Sequence, residues 1–144
     1  MPFTVHSLAS GSSGNSFLVK DRGSAILIDA GVGIRRLVAS LDQVGVSPED
    51  LSAICITHEH LDHINGAVRM SRKYGVPLVA NPPTLASIQG AAFVPTKTLE
   101  VGEEITFGRI AVRSFPVSHD ATCPVGYTIS SSGATVCYAT DTGK

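Results

Sequence analysis

Three histidines and an aspartate fall within six positions of the string Thr57-His58-Glu59-His60-Leu61-Asp62-His63. Imidazole nitrogen and carboxylate oxygen suit zinc, manganese or iron, and nothing in the string demands a soft thiolate. A lone histidine here would read as a solvated turn residue or a helix cap. Four ligand-type side chains in the order His-x-His-x-Asp-His point instead to metal binding.

Such side chains need a strand to deliver them. The run 51–57 is apolar and rich in Ile, which predicts a short interior strand. With the backbone extended past Thr57, His58 and His60 share a face, because side chains two apart do so. Asp62 follows at the turn. His63 opens an amphipathic helix through Ile64, Ala67, Val68 and Met70 to about Tyr74, ended by Gly75.

Short strands and helices are expected on either side. Strands are predicted at 3–8, 17–19 and 25–28, the last two joined by the hairpin turn Asp21-Arg22-Gly23. A helix is predicted over 34–44, with Ile34, Leu37, Val38 and Leu41 on its apolar stripe and Gly45 as its cap. Ser47-Pro48 starts a single turn. After the central helix come a strand at 76–80, a short helix over 81–89 and a meander at 98–101, 104–107 and 110–115. A hairpin with strands at 125–129 and 134–138 follows. No repeat, linker or low-complexity segment interrupts 1–144, which suits one domain.

The string Ser10-Gly11-Ser12-Ser13-Gly14-Asn15-Ser16 has two readings. One is a tight connection that needs positive φ. The other is a cradle of backbone N–H and hydroxyl donors for a phosphate or other anion, which makes Ser12, Ser13, Gly14 and Asn15 candidate substrate-binding residues.

Eleven Lys and Arg against 12 Asp and Glu give a net charge of −1. No global field therefore draws in nucleic acid or a membrane, and a nuclease would show more Lys and Arg along its groove. No apolar run is long enough to span a bilayer, and the N-terminus lacks a signal-peptide pattern. The cytoplasm is the expected location. Cys55, Cys123 and Cys137 are an odd number without metal-type spacing. Cys55 and Cys137 lie in apolar runs and read as small buried hydrophobes.

Thr57, His58, His60, Asp62 and His63 after a strand resemble the signature of the metallo-β-lactamase superfamily of metal-dependent hydrolases. Further strings narrow the resemblance to its YycJ/WalJ-like branch. They are 7–16, Leu27-Ile28-Asp29-Ala30-Gly31, Pro116-Val117-Ser118-His119-Asp120 and Ala139-Thr140-Asp141-Thr142-Gly143. Members of that branch include 5′-to-3′ DNA exonucleases.

The resemblance implies an α/β (α+β) architecture, the N-terminal portion of an αββα sandwich with a mixed sheet and flanking helices. It implies two divalent metal ions, zinc or manganese, with iron also fitting. One would be held by His58, His60, His119 and Asp141, the other by Asp62, His63 and the shared carboxylate of Asp141. Asp62 would orient a hydroxide held between the metals and so act as the catalytic residue. Asp29 would lie below the site and support the ligand loop, against a plainer reading as a strand-end turn residue or helix cap. Asp120 would orient its own loop.

The expected function is phosphodiester hydrolysis, with nucleic acid as a possible substrate. Thioester or lactone hydrolysis on the same scaffold, or an inactive metal-binding fragment that self-associates, are the alternatives. A superfamily domain normally continues past the bridging aspartate and adds a last metal-binding histidine. The 1–144 domain is therefore expected to be incomplete at its C-terminus and weakly active or inactive alone. An uncovered apolar sheet face would then drive homo-oligomers.

Overall fold

A computed structural model describes residues 3–9, 14–117, 123–131 and 133–138, the side chains of Leu61 and Asp62 excepted. His119, Asp120, Asp141, Ser12 and Ser13 thus lie outside the described residues.

Two sheets form the frame. The first is six-stranded and mixed, in the order β1 (Thr4–Ala9), β2 (Ser16–Asp21), β3 (Ser24–Ile28), β4 (Ala53–Cys55), β5 (Leu78–Ala80), β6 (Thr96–Thr98). The strands β1, β2 and β3 pair antiparallel, and β3 to β6 pair parallel. The hairpin between β2 and β3 turns on Arg22 and Gly23, both at positive φ, the conformation that a tight two-residue loop requires.

Every residue from Ala25 to Ile28 is buried, because the sheet is covered on both faces. Leu18, Leu27, Ile54 and Leu78 pack toward the helices α1 (Ile34–Gln43) and α3 (Ala67–Tyr74), with Leu37, Leu41 and Met70 opposite. Val19, Ile26, Ile28, Cys55 and Val79 pack toward the second sheet.

That second sheet is antiparallel, in the order β10 (Ala134–Tyr138), β9 (Val125–Ser131), β8 (Ile110–Pro116), β7 (Glu104–Phe107). Ile110, Val112, Val125, Tyr127 and Ile129 fill the space between the sheets. The Tyr127 hydroxyl donates to the Ile56 carbonyl at 2.6 Å, and the Val125 amide donates to the Thr57 carbonyl at 2.9 Å. Both bonds tie the second sheet to the start of the ligand string.

Several expectations need correction. The central helix is two pieces, α2 (Leu61–Ile64) and α3, broken at Gly66. A Cβ on Gly66 would come within 2.2 Å of the Val32 carbonyl oxygen, so close helix-to-loop packing fixes the break. The strand predicted at 98–101 is instead Thr96–Thr98, and it extends the first sheet beside β5. Cys137 is exposed, because its register opposite Thr128 turns it outward.

The outer face of the second sheet carries Arg113, Thr128, Ser130 and Thr135, by alternation with the buried positions. Its one large apolar residue is Phe115, which lies over Gly126, where an added Cβ would meet the ring at 2.6 Å. That face therefore offers no broad apolar surface among the described residues. No helix covers this face among them, and none is long and apolar enough to cross a membrane.

Candidate metal centre

The site sits where β3 and β4 end side by side. Asp29 follows β3 with φ of 63°, a left-handed conformation that Asp and Asn tolerate better than most side chains. Its amide donates to the Cys55 carbonyl at 2.7 Å, and its carbonyl accepts from the Ser16 hydroxyl at 2.9 Å. The turn aims the Asp29 carboxylate under the ligand string.

That carboxylate is fully buried and accepts from both polar groups of Thr57. Oδ1 takes the Thr57 amide at 2.8 Å, and Oδ2 takes the Thr57 hydroxyl at 2.8 Å. His63 Nδ1 lies 2.5 Å from the same Oδ2, and the Tyr138 hydroxyl lies 3.4 Å from it. Burial pushes the Asp29 carboxyl above the usual carboxylate range, and the His63 and Thr57 donors oppose that shift. An ionised carboxylate, which only accepts, satisfies all of these donors at once.

The donor count then sets the imidazole tautomers. With its proton on Asp29, the Thr57 hydroxyl oxygen can only accept from His58 Nδ1, 2.9 Å away. With Oδ2 accepting, His63 donates from its Nδ1. Both rings are thereby assigned the form whose Nε2 lone pair can bind a cation, as a carboxylate behind a ligating histidine commonly arranges. The His58 ring lies 4.1 Å from the His63 ring and 4.8 Å from the His60 ring, centroid to centroid. Two imidazoles with tautomers set from behind, and His60 beside them, are donors of the type a divalent metal takes.

The described residues alone do not close a metal cluster of three or more His, Cys, Asp or Glu. The Asp62 side chain, His119 and Asp141 would have to complete it, and Asp120 shares their place outside the described residues. Asp29 stands at the strand-end turn with its carboxylate against Thr57 and His63. Gly14 has φ of 146°, and a Cβ there would meet Val32 Cγ1 at 2.5 Å, so this end of the serine-rich loop is a tight packed connection. Asn15 is buried, with Nδ2 3.3 Å from His63 Nε2. It stands beside a candidate ligand.

Sequence reasoning gave no role to Thr57, Ser16 or Tyr138. Thr57 had a signal in its place beside the histidines. Tyr138 had none, since 109 positions separate it from Asp29. Cys55 is buried with its thiol pushed well up by burial, which removes it as a nucleophile.

The fold and sequence both have counterparts. The chain is 40% identical over 147 residues to the exodeoxyribonuclease WalJ of Streptococcus pneumoniae, covering 98% of this chain and 55% of that protein. It is 39% identical over 140 residues to the exodeoxyribonuclease YycJ of Bacillus anthracis, covering 94% of this chain and 53% of that protein. The chain thus spans about half the length of these curated relatives. Among solved structures, a Cronobacter sakazakii metallo-beta-lactamase superposes with a TM-score of 0.78 at 18% identity, over 94% of this chain and 55% of the other. The Rm3 metallo-beta-lactamase gives 0.77 at 16% identity, over 92% and 56%. These two show the fold alone. The family model for the Metallo-beta-lactamase superfamily matches residues 9–144, and with the ligand string, its buried aspartate and the two facing sheets this chain belongs to that superfamily of metal-dependent hydrolases.

Proposed function

We propose that the chain carries the metal centre of a nuclease, a hydrolase that cleaves phosphodiester bonds with two divalent cations. The observation that carries the reading is the buried Asp29 carboxylate holding Thr57 and His63, and through Thr57 also His58. Such a device has little use unless the imidazoles must present lone pairs to one place. The choice of phosphodiester is supported by the exodeoxyribonuclease names of both relatives.

In this reading His58, His60, His119 and Asp141 would hold one cation, and Asp62 and His63, with Asp141, would hold the other. Bound zinc or manganese supplies Lewis acidity toward a phosphoryl oxygen and makes water acidic near neutral pH. Asp62 orients the attacking water and takes its proton at a carboxylate oxygen. Asp29 and Thr57 keep the rings from turning as charge develops. Tyr127 and Val125 hold the strand end that carries the loop.

The test is a substrate panel on the protein expressed from its complete reading frame, with manganese or zinc added. Bis(p-nitrophenyl) phosphate and 5′-labelled single-stranded DNA are compared with an acyl thioester and a lactone. Metal-dependent cleavage of the phosphodiesters, lost in His60→Ala, is expected. Thioester or lactone turnover without phosphodiester cleavage would overturn the reading.

A further inference from the structure

The net charge of −1 conceals a strongly uneven distribution. Five of the 11 Lys and Arg residues lie on α1 and α3: Arg35, Arg36, Arg69, Arg72 and Lys73. These two helices carry a single acidic residue, Asp42. All five cations are exposed. Among the described residues none of them is held in an ion pair.

Helix stability accounts for only part of them, since Arg72 and Lys73 stand in the last turn of α3, where the dipole favours cations. The first turn of α1 holds Arg35 and Arg36 and no acidic residue, although the helix dipole disfavours cations there. The apolar stripes are supplied by other residues, Leu37 and Leu41 on α1 and Ala67 and Met70 on α3.

The two helices leave a cleft between them. One cavity of about 580 Å³ is lined by Arg35, Val38, Asp42, Lys73 and Tyr74 among others. A second, of about 320 Å³, is lined by Ile34, Arg69, Arg72 and Lys73. Ile34 and Lys73 border both, so the two run together. Lys73 Nζ lies 5.5 Å from the Tyr74 ring centroid at their junction. The smaller cavity lies at the start of both helices, with Ile34 opening α1 and Arg69 in the first turn of α3. Gly66, which caps α3, packs against Val32 and Gly33, which lead into α1, and Arg69 follows His63 by six positions.

We propose that this cleft docks the phosphate backbone of a nucleic acid strand on its way to or from the ligand loop. The occupant is set by charge complementarity: unpaired guanidinium groups at one-turn spacing suit a chain of phosphates about one helical turn apart. The proposal rests on the nuclease reading above, and its test is separable from that reading.

The test measures binding of a fluorescein-labelled single-stranded oligothymidylate by anisotropy, in EDTA and over a range of salt. Arg69→Gln/Arg72→Gln is compared with Lys97→Gln/Arg109→Gln, which removes the same charge from exposed positions on other elements. Melting curves confirm that both variants fold. The cleft variant is expected to bind about tenfold more weakly, with the slope of log K against log salt reduced by about 1.4. The control should match the wild type. Equal losses in the two variants, or none in either, would overturn the proposal. So would failure of the wild type to bind the oligonucleotide, or capture of phosphatidylglycerol vesicles in its place. Wild-type hydrolysis of bis(p-nitrophenyl) phosphate, measured separately, reports on the nuclease reading alone.

Discussion

Replacing Asp29 by Asn tests the argument for the metal centre at its root. Asn has the same shape and also tolerates the left-handed backbone at φ of 63°, so the turn after β3 keeps its geometry. What changes is one acceptor into a donor. With the amide oxygen at the Oδ1 position, it still accepts the Thr57 amide. The NH₂ group then faces the Thr57 hydroxyl and His63 Nδ1, both of which had been donating. His63 must move its proton to Nε2 to accept, which removes the lone pair meant for a cation. With the amide reversed, the NH₂ group meets the Thr57 amide donor instead, a buried mismatch costing about 1–3 kcal/mol.

Either orientation harms the site. Altering the group behind a metal-ligating histidine typically weakens binding by about 10- to 100-fold, or about 1.4–2.8 kcal/mol. The assay is zinc affinity by competition with a chromophoric chelator, alongside urea unfolding of the metal-free protein. Asp29→Asn is expected to lose affinity in that range and about 1–3 kcal/mol of stability. Asp29→Ala should lose more stability, by about another 1–2 kcal/mol, because Ala resists the left-handed backbone. A folded Asp29→Asn protein with unchanged zinc affinity would refute the tautomer argument.

Three further outcomes follow from the packing. Gly66→Ala should cost about 1–3 kcal/mol in urea unfolding, because the added methyl meets the Val32 carbonyl oxygen and Leu37 Cδ1. Tyr127→Phe should cost about 1–2 kcal/mol by removing the donor to the Ile56 carbonyl, with only a small change in zinc affinity. Iodoacetamide followed by mass spectrometry should label the exposed Cys137 in the native protein and reach Cys55, which is 0% exposed, only after denaturation.

Local chemistry was legible in the sequence wherever the cause was itself local. The buried run Ala25 to Ile28 announces a strand covered on both faces, and Arg22-Gly23 announces its hairpin. The ligand string could be read because its residues are near neighbours in the chain. The helix break at Gly66 could not, since its cause is the carbonyl of Val32 in a distant loop. The strand Thr96–Thr98 has three exposed polar side chains and is held by its ladder to β5, so no periodicity marks it. Cys137 sits in an apolar run, yet the pairing of Val136 with Ile129 and Tyr138 with Tyr127 points it outward. Asp29 presented a strand end followed by glycine, and only the folded chain supplies Thr57, His63 and Tyr138 to its two oxygens.

Net charge is the sharpest case of information lost by averaging. Summed over the chain it argues against a polyanionic partner, because 12 acidic residues offset 11 basic ones. Electrostatic attraction at a surface, however, is set by charges within about 8–10 Å at physiological salt, not by the total. Arg35 with Arg36, and Arg69 with Arg72 and Lys73, are separated by more than 30 positions in sequence. The parallel pairing of β3 with β4 sends both following helices back across the same sheet face, and that crossover is what sets Arg35 against one cleft with Arg69, Arg72 and Lys73. A neutral chain can therefore present a basic groove, and the oligonucleotide measurement decides whether this one uses it.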